Sequence, residues 1–133
     1  MKTQIKSFVF LAFGITLIMS CQKAGIDGAA TLVIFPQHHG VTIPNHIGYL
    51  DSVYVKFDAK DLPSDPTHNY DAVFVGEYGE DHVHCTSLHT GNYYLYATAW
   101  DSINNERVYG GLAVKIKFSE RQDEIDINIP VVE

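Results

Sequence analysis

The sequence predicts an all-β chain, a seven-stranded antiparallel β-sandwich. Three observations carry that prediction. Apolar and polar residues alternate with period two in seven short runs. Turn-forming Gly, Pro, Asn and Asp punctuate the chain between them. No stretch of the folded part repeats with helical period. Strands that are apolar on one face need a second sheet to cover them, which is the sandwich solution.

The elements follow in order. Residues 29–36 form the first strand. Residues 51–59 form the second, with Val53, Val55 and Phe57 on one face and Tyr54, Lys56 and Asp58 on the other. In the third, 70–78, Ala72, Phe74 and Gly76 oppose Val73 and Val75. In the fourth, 82–88, His82 and His84 share one face while Val83 and Cys85 share the other. The fifth, 92–101, turns Tyr93, Leu95, Ala97 and Ala99 to the core and Tyr94, Tyr96, Thr98 and Trp100 outward. The sixth, 106–118, is expected to bend at a bulge at Gly110-Gly111. The seventh, 123–132, sets Ile125, Ile127, Ile129 and Val131 against Glu124, Asp126 and Asn128. Pro130 donates no backbone hydrogen bond, which places this strand at a sheet edge. Segments 37–50 and 60–69 carry Pro and polar residues and read as loops, where a rigid sandwich usually carries binding function.

The N-terminus reads "MKTQIKSFVFLAFGITLIMSC". Lys2 and Lys6 precede an apolar run from Phe8 to Met19, broken only by Gly14 and Thr16. About a dozen residues are too few for a bilayer, which takes about 20, but they suit the apolar region of a secretory signal. The end of the run, Ile18-Met19-Ser20-Cys21, resembles the bacterial lipobox. That resemblance implies cleavage before Cys21 and acylation of its thiol and new amine. Two or more acyl chains hold a protein stably on a membrane where one does not. The division expected is a signal peptide at 1–20, a lipidated N-terminus and short tether at 21–28, and the β-sandwich at 29–133. Short lipoproteins of this kind are typical of Gram-negative envelopes. Gln22 stands where an Asp would signal retention at the inner membrane, so the outer membrane is expected, on either its periplasmic or its surface face.

Removing residues 1–20 leaves 113 residues, one domain's worth, with 7 basic residues against 16 acidic, a net charge of −9. Such a surface repels nucleic acid and anionic headgroups. The acids are scattered, as on a solvated surface, and form no tail. With Cys21 lipidated, Cys85 is left without an internal disulfide partner and is expected to be buried and inert.

"LHTGNYYLY", residues 88–96, closes one strand and opens the next. Its Leu88, Gly91 and Tyr93 are similar to the Leu-x-x-Gly-x-Tyr pattern of transthyretin-like (prealbumin-like) modules, among them the carboxypeptidase regulatory-like domains. "VYGGLAVKIKF" and "EIDINIPV" match the closing strands of small Bacteroidota lipoproteins of that type. The resemblance spans about residues 29–132. It implies a prealbumin-like or Ig-like sandwich with a buried Leu, a turn Gly and a Tyr placed as in a tyrosine corner. It says little of function, because such sandwiches host many roles. Hydroxyisourate hydrolase, an enzyme of the wider fold, closes on a Tyr-Arg-Gly-Ser tail where this chain reads "NIPVVE". Intradiol dioxygenases hold iron through Tyr and His pairs, whose spacing has no match here.

Histidines supply the candidate sites. His82 and His84, with His89 or with Glu80 or Asp81, could hold zinc or copper, or could be strand surface. His38, His39 and His46 fall in the loop 37–50, as weak chelators, a binding surface or plain solvent-facing residues. The outward face of the fifth strand reads either as an aromatic strip for sugar rings or a protein partner, or as a face covered by a loop. No Gly-x-Ser-x-Gly, His-Glu-x-x-His or phosphate-cradling Gly-rich loop occurs. His84 and Cys85 face opposite ways on a strand and so make no nucleophile and base. The reading is a lipid-anchored, non-enzymatic binding or accessory module, tethered to the membrane by Cys21 and suited to an envelope protein partner, with no nucleic acid and no resident cofactor. The alternative is a zinc- or copper-binding lipoprotein.

Overall fold

Each of the seven alternating runs holds a strand in the computed structural model, which describes residues 23–133. Cys21 and the expected signal segment lie outside the described residues. An eighth, two-residue strand forms inside the segment read as a loop. The strands are β1 (Ala30–His38), β2 (Val41–Thr42), β3 (Ser52–Phe57), β4 (Ala72–Val75), β5 (Val83–Leu88), β6 (Gly91–Asp101), β7 (Glu106–Ile116) and β8 (Glu124–Pro130). A 3-10 turn, Phe118–Glu120, links β7 to β8.

The strands make two four-stranded sheets. In the first, β8 runs along one edge of β1, and β5 and β2 share the other. The second has the order β4-β3-β6-β7. Alternation decides which side chains meet between them. Leu32, Ile34, Val83, Cys85 and Leu88 of the first sheet pack against Val53, Val55, Tyr93, Leu95 and Ala97 of the second, all fully buried. Each large apolar side chain so buried contributes about 1.5–3 kcal/mol. Ile125 and Ile127 pack half-buried against this core, and Glu124, Asp126 and Asn128 of β8 are exposed, as the alternation requires.

Three expectations are corrected. The strands are not all antiparallel: β8 pairs with β1 in parallel, from Thr31↔Glu124 to Gln37↔Pro130. The chain descends β7 in the second sheet, turns, and rises again in the first beside a strand that rises too. There is no bulge at Gly110-Gly111, because β6 and β7 keep one register from Gly91↔Ile116 to Asp101↔Glu106. The register shift lies instead between β1 and β5, where Ser87 has φ +61°. Finally, β1 does not stop at Pro36. Pairing with β5 ends at Ile34 and pairing with β2 starts at Gln37, so the missing N–H of Pro36 falls in the gap between two partners.

β1, β4, β6 and β8 run one way and β3, β5 and β7 the other, which gives the molecule two poles. The nine residues of β1 span about 30 Å between them at ~3.3 Å per residue. The lower pole gathers residues 24–29, 58–71 and 117–123. The upper pole gathers 39–51, 76–82, 102–105 and 131–133.

Candidate functional site

The upper pole holds five of the seven histidines, His38, His39, His46, His82 and His84. Its scaffold is Asn45, buried although it sits in a segment read as a loop. Its backbone N–H donates to Glu80 O at 2.9 Å. Its side-chain amide donates to Glu80 O at 3.0 Å and to His82 O at 3.2 Å. Its carbonyl oxygen accepts from the Asp51 N–H at 2.8 Å. A Cβ at Gly76 would stand 2.2 Å from Asn45 Oδ1, so only glycine leaves room for this side chain. The segment that carries Glu80 to His82 is thus pinned by a fully used amide.

On that segment three ligand atoms converge. His82 Nε2 lies 3.0 Å from His84 Nε2 and 3.5 Å from Glu80 Oε2, and all three atoms lie within 4.8 Å of one another. Around a zinc ion with bonds near 2.0–2.1 Å, tetrahedral ligands stand about 3.4 Å apart. The two spacings bracket that value. His82 Nδ1 meets Asp81 Oδ1 at 2.9 Å, the carboxylate behind the imidazole that orients metal-binding histidines. The Asp81 carboxylate can only accept, so this contact is made by Nδ1–H, and His82 Nε2 is turned to His84 Nε2, with which it shares a hydrogen bond that a bound ion would replace. The Phe35 ring packs 5.3 Å from the His82 ring and fixes its plane. His84 is exposed and the other two are partly so, which gives an ion access from solvent.

His89 is not among them. It sits at the lower pole beside Gly25 and Gly28. Cys85 points into the core, as strand geometry requires, and burial pushes its thiol up to about 12.

His38 is not a loop residue. It ends β1, is 4% exposed and faces inward. Its Nδ1 lies 2.6 Å from Asp101 Oδ2. Asp101 also accepts from the Ile103 N–H at 2.9 Å, the Asn104 N–H at 3.2 Å and the Asn104 side-chain amide at 2.9 Å. The His38 hydrogen bond, helped by those of Asn104 and Ile103, holds the Asp101 carboxyl well below its usual range. The same bond to Asp101 raises the His38 pKa above 6.5, against the opposing effect of burial. Asp101 was read only as a strand end, but "DSINN" carries the signal of a turn closed by an Asp side chain. His39 is exposed with φ +51° and stacks on His38 at 4.1 Å. His46 pairs with Tyr49 across a tight turn.

At the lower pole, Leu88 is fully buried and Gly91 has φ +149° against the backbone of Ala24. The buried Tyr93 hydroxyl lies 2.7 Å from His89 O and 3.1 Å from Gly25 O, donates to one of them, and accepts from the Gly25 N–H at 3.0 Å. Residues 24–28, expected as part of a tether, are fastened to the domain by this hydroxyl and by Gly28 N–H on Ser87 O at 3.0 Å. On the outer face of the second sheet, the loop residue Tyr49 packs 5.7 Å from Trp100, under the Arg107 guanidinium at 4.9 Å. Tyr94 fills the space left by Gly111, and Tyr96 stacks on Tyr109 at 6.5 Å. The aromatic strip is half covered by its own neighbours.

Comparison with known proteins finds no matching family model, no matching curated protein and no matching solved structure.

Proposed function

We propose that this chain is a lipid-anchored, transthyretin-like β-sandwich of the Gram-negative envelope that binds one zinc or copper ion through Glu80, His82 and His84. The observation that carries this reading is the convergence of three ligand atoms within 4.8 Å, on a segment pinned by Asn45. Two imidazoles and a carboxylate suit zinc or copper better than calcium or magnesium, which prefer all-oxygen shells. A fourth position stays open to water or to a partner's side chain, as transfer of an ion between proteins requires. The lipobox at Ile18–Cys21 and the geometry of Leu88, Gly91 and Tyr93 support the anchor and the fold type. The reading assigns no catalytic residue.

Calorimetric titration of the full chain in detergent with zinc and with copper tests it. One equivalent is expected. His82→Ala with His84→Ala should abolish it, and Asp81→Asn should weaken it about 10–100-fold without removing a ligand. At a free metal concentration 100 times Kd, the ion should add about 2.7 kcal/mol to stability, seen as a higher Tm. Absence of uptake, or uptake that survives the double substitution, would overturn the assignment.

A further inference from the structure

The upper pole holds a second set of polar groups that the metal site leaves unused. His38 Nδ1 is committed to Asp101, whose ionised carboxylate can only accept, so the ring's second nitrogen is the one that remains. Nε2 is buried and has no hydrogen-bond partner among the described residues. An unmet buried polar atom is unfavourable by about 1–3 kcal/mol. His38 lines a pocket of about 230 Å³ between the loops 39–51 and 102–105. Its walls are apolar: Val41, Ile43, Pro44 and Ile103. His46, whose Nε2 is likewise buried and unpartnered, lines it too. The chain's own Glu133 marks the kind of group that suits His38 Nε2. Glu133 Oε2 stands 3.4 Å away, in ion-pair range but without hydrogen-bond geometry, on a side chain 67% exposed.

We propose that this pocket binds a small organic monocarboxylate, whose carboxylate displaces Glu133 and accepts a hydrogen bond from His38 Nε2 while its apolar body rests on Val41, Ile43 and Ile103. Three arguments set the ligand class. The acidic groups facing His38 are Asp101, Glu133 and Glu106, and all three favour its protonated form, which presents N–H at Nε2. With Glu133 displaced, the His38 imidazolium offers one N–H to one carboxylate, and Asp101 and Glu106 repel a dianion such as phosphate more strongly than a monoanion. The volume equals that of about eight waters at ~30 Å³ each, which fits a benzoate-sized molecule.

The test is calorimetric titration of the full chain in detergent with benzoate, its neutral isostere benzamide, and inorganic phosphate. Benzoate should bind with one equivalent, benzamide at least about tenfold more weakly, and phosphate not at all. Benzoate affinity should fall as pH is raised from about 6 to about 10, through the raised His38 pKa, because the donor proton is lost. His38→Gln should weaken benzoate at least about tenfold and leave the metal equivalent at Glu80, His82 and His84 in place. Glu133→Gln should not weaken it. The amide and pH comparisons use the unaltered chain, so they decide the matter even if His38→Gln fails to fold. Benzoate binding no tighter than benzamide, phosphate competing for the pocket, or full affinity in folded His38→Gln would each overturn the proposal.

Discussion

Asp51 shows what one side chain contributes at this pole. It is fully buried, and neither carboxylate oxygen has a hydrogen-bond partner among the described residues. Burial raises its pKa from 3.8 to about 7. The folded state therefore holds a proton that the unfolded state has released between those values. Stability from this group is complete below about 3.8 and is lost as pH rises through about 7. Three pH units at ~1.4 kcal/mol each set an upper limit on the order of 4 kcal/mol. Asp51→Asn keeps the shape and removes the charge. It should raise Tm by several degrees above pH 8 and by less than about half as much near pH 5, in melting curves at the two pH values. Equal shifts at both would mean that burial of the charge is not what matters. Nothing in the sequence marks Asp51, since "LDS" before a strand reads as an ordinary boundary. Cys85 was legible because its strand partner Val83 fixed its direction, whereas the direction of Asp51 depends on the turn that Asn45 imposes.

At the scale of elements, the two adjacent glycines of β7 separate what a strand pattern can and cannot say. The pattern marks them as unusual and suggests a bulge. The cause is in fact the approach of other parts of the fold. A Cβ at Gly110 would stand 1.9 Å from Pro130 O, where the chain leaves β8 and crosses to β7. There Tyr109 and Val132 exchange two backbone hydrogen bonds of 2.8 Å and tie the two sheets together. The nearest atoms to a Cβ at Gly111 are those of the Tyr94 ring end, 2.5 Å away at its hydroxyl, and the end of a partly exposed side chain can give way. Gly110→Ala should therefore lower stability by about 3 kcal/mol or more, and Gly111→Ala by about 1 kcal/mol. Denaturant unfolding measures both. Amide exchange should show Tyr109 and Val132 losing protection in the first variant only. Similar losses in the two would mean that Gly110 does not serve the crossing. Segment 37–50 was opaque for a related reason: Ile43 joins the core and Asn45 is held by the connection at Glu80 and His82, far along the chain, and local composition carries no trace of either.

For the whole molecule, alternation revealed every long strand but not the sheet each joins, because β8 reads the same beside β1 as beside β7. The poles follow from that placement, and they set where the proposed anchor and the proposed sites stand. Ala24 is buried at the lower pole, and its N–H donates to Asp58 Oδ1 at 3.2 Å. Only three residue steps separate it from Cys21, at most about 10 Å of chain. An anchor at Cys21 thus holds the lower pole close to the bilayer. The metal and carboxylate sites then stand one strand length away, about 30 Å. A net charge of −9 beyond residue 20 repels an anionic membrane, which opposes the domain lying flat on it. The chain supplies its own reporter, because Trp100, its single tryptophan, lies near the upper end of β6. In anionic vesicles doped with a spin-labelled lipid that quenches at contact range, Trp100 emission of the lipidated protein should be unchanged. Raising salt should not alter this at low ionic strength, and should allow partial quenching only where the Debye length falls to about 3 Å, near 1 M. Strong quenching at low salt would show the domain lying on the bilayer. The upper pole, with both proposed sites, would then lie at the bilayer surface and not a strand length above it.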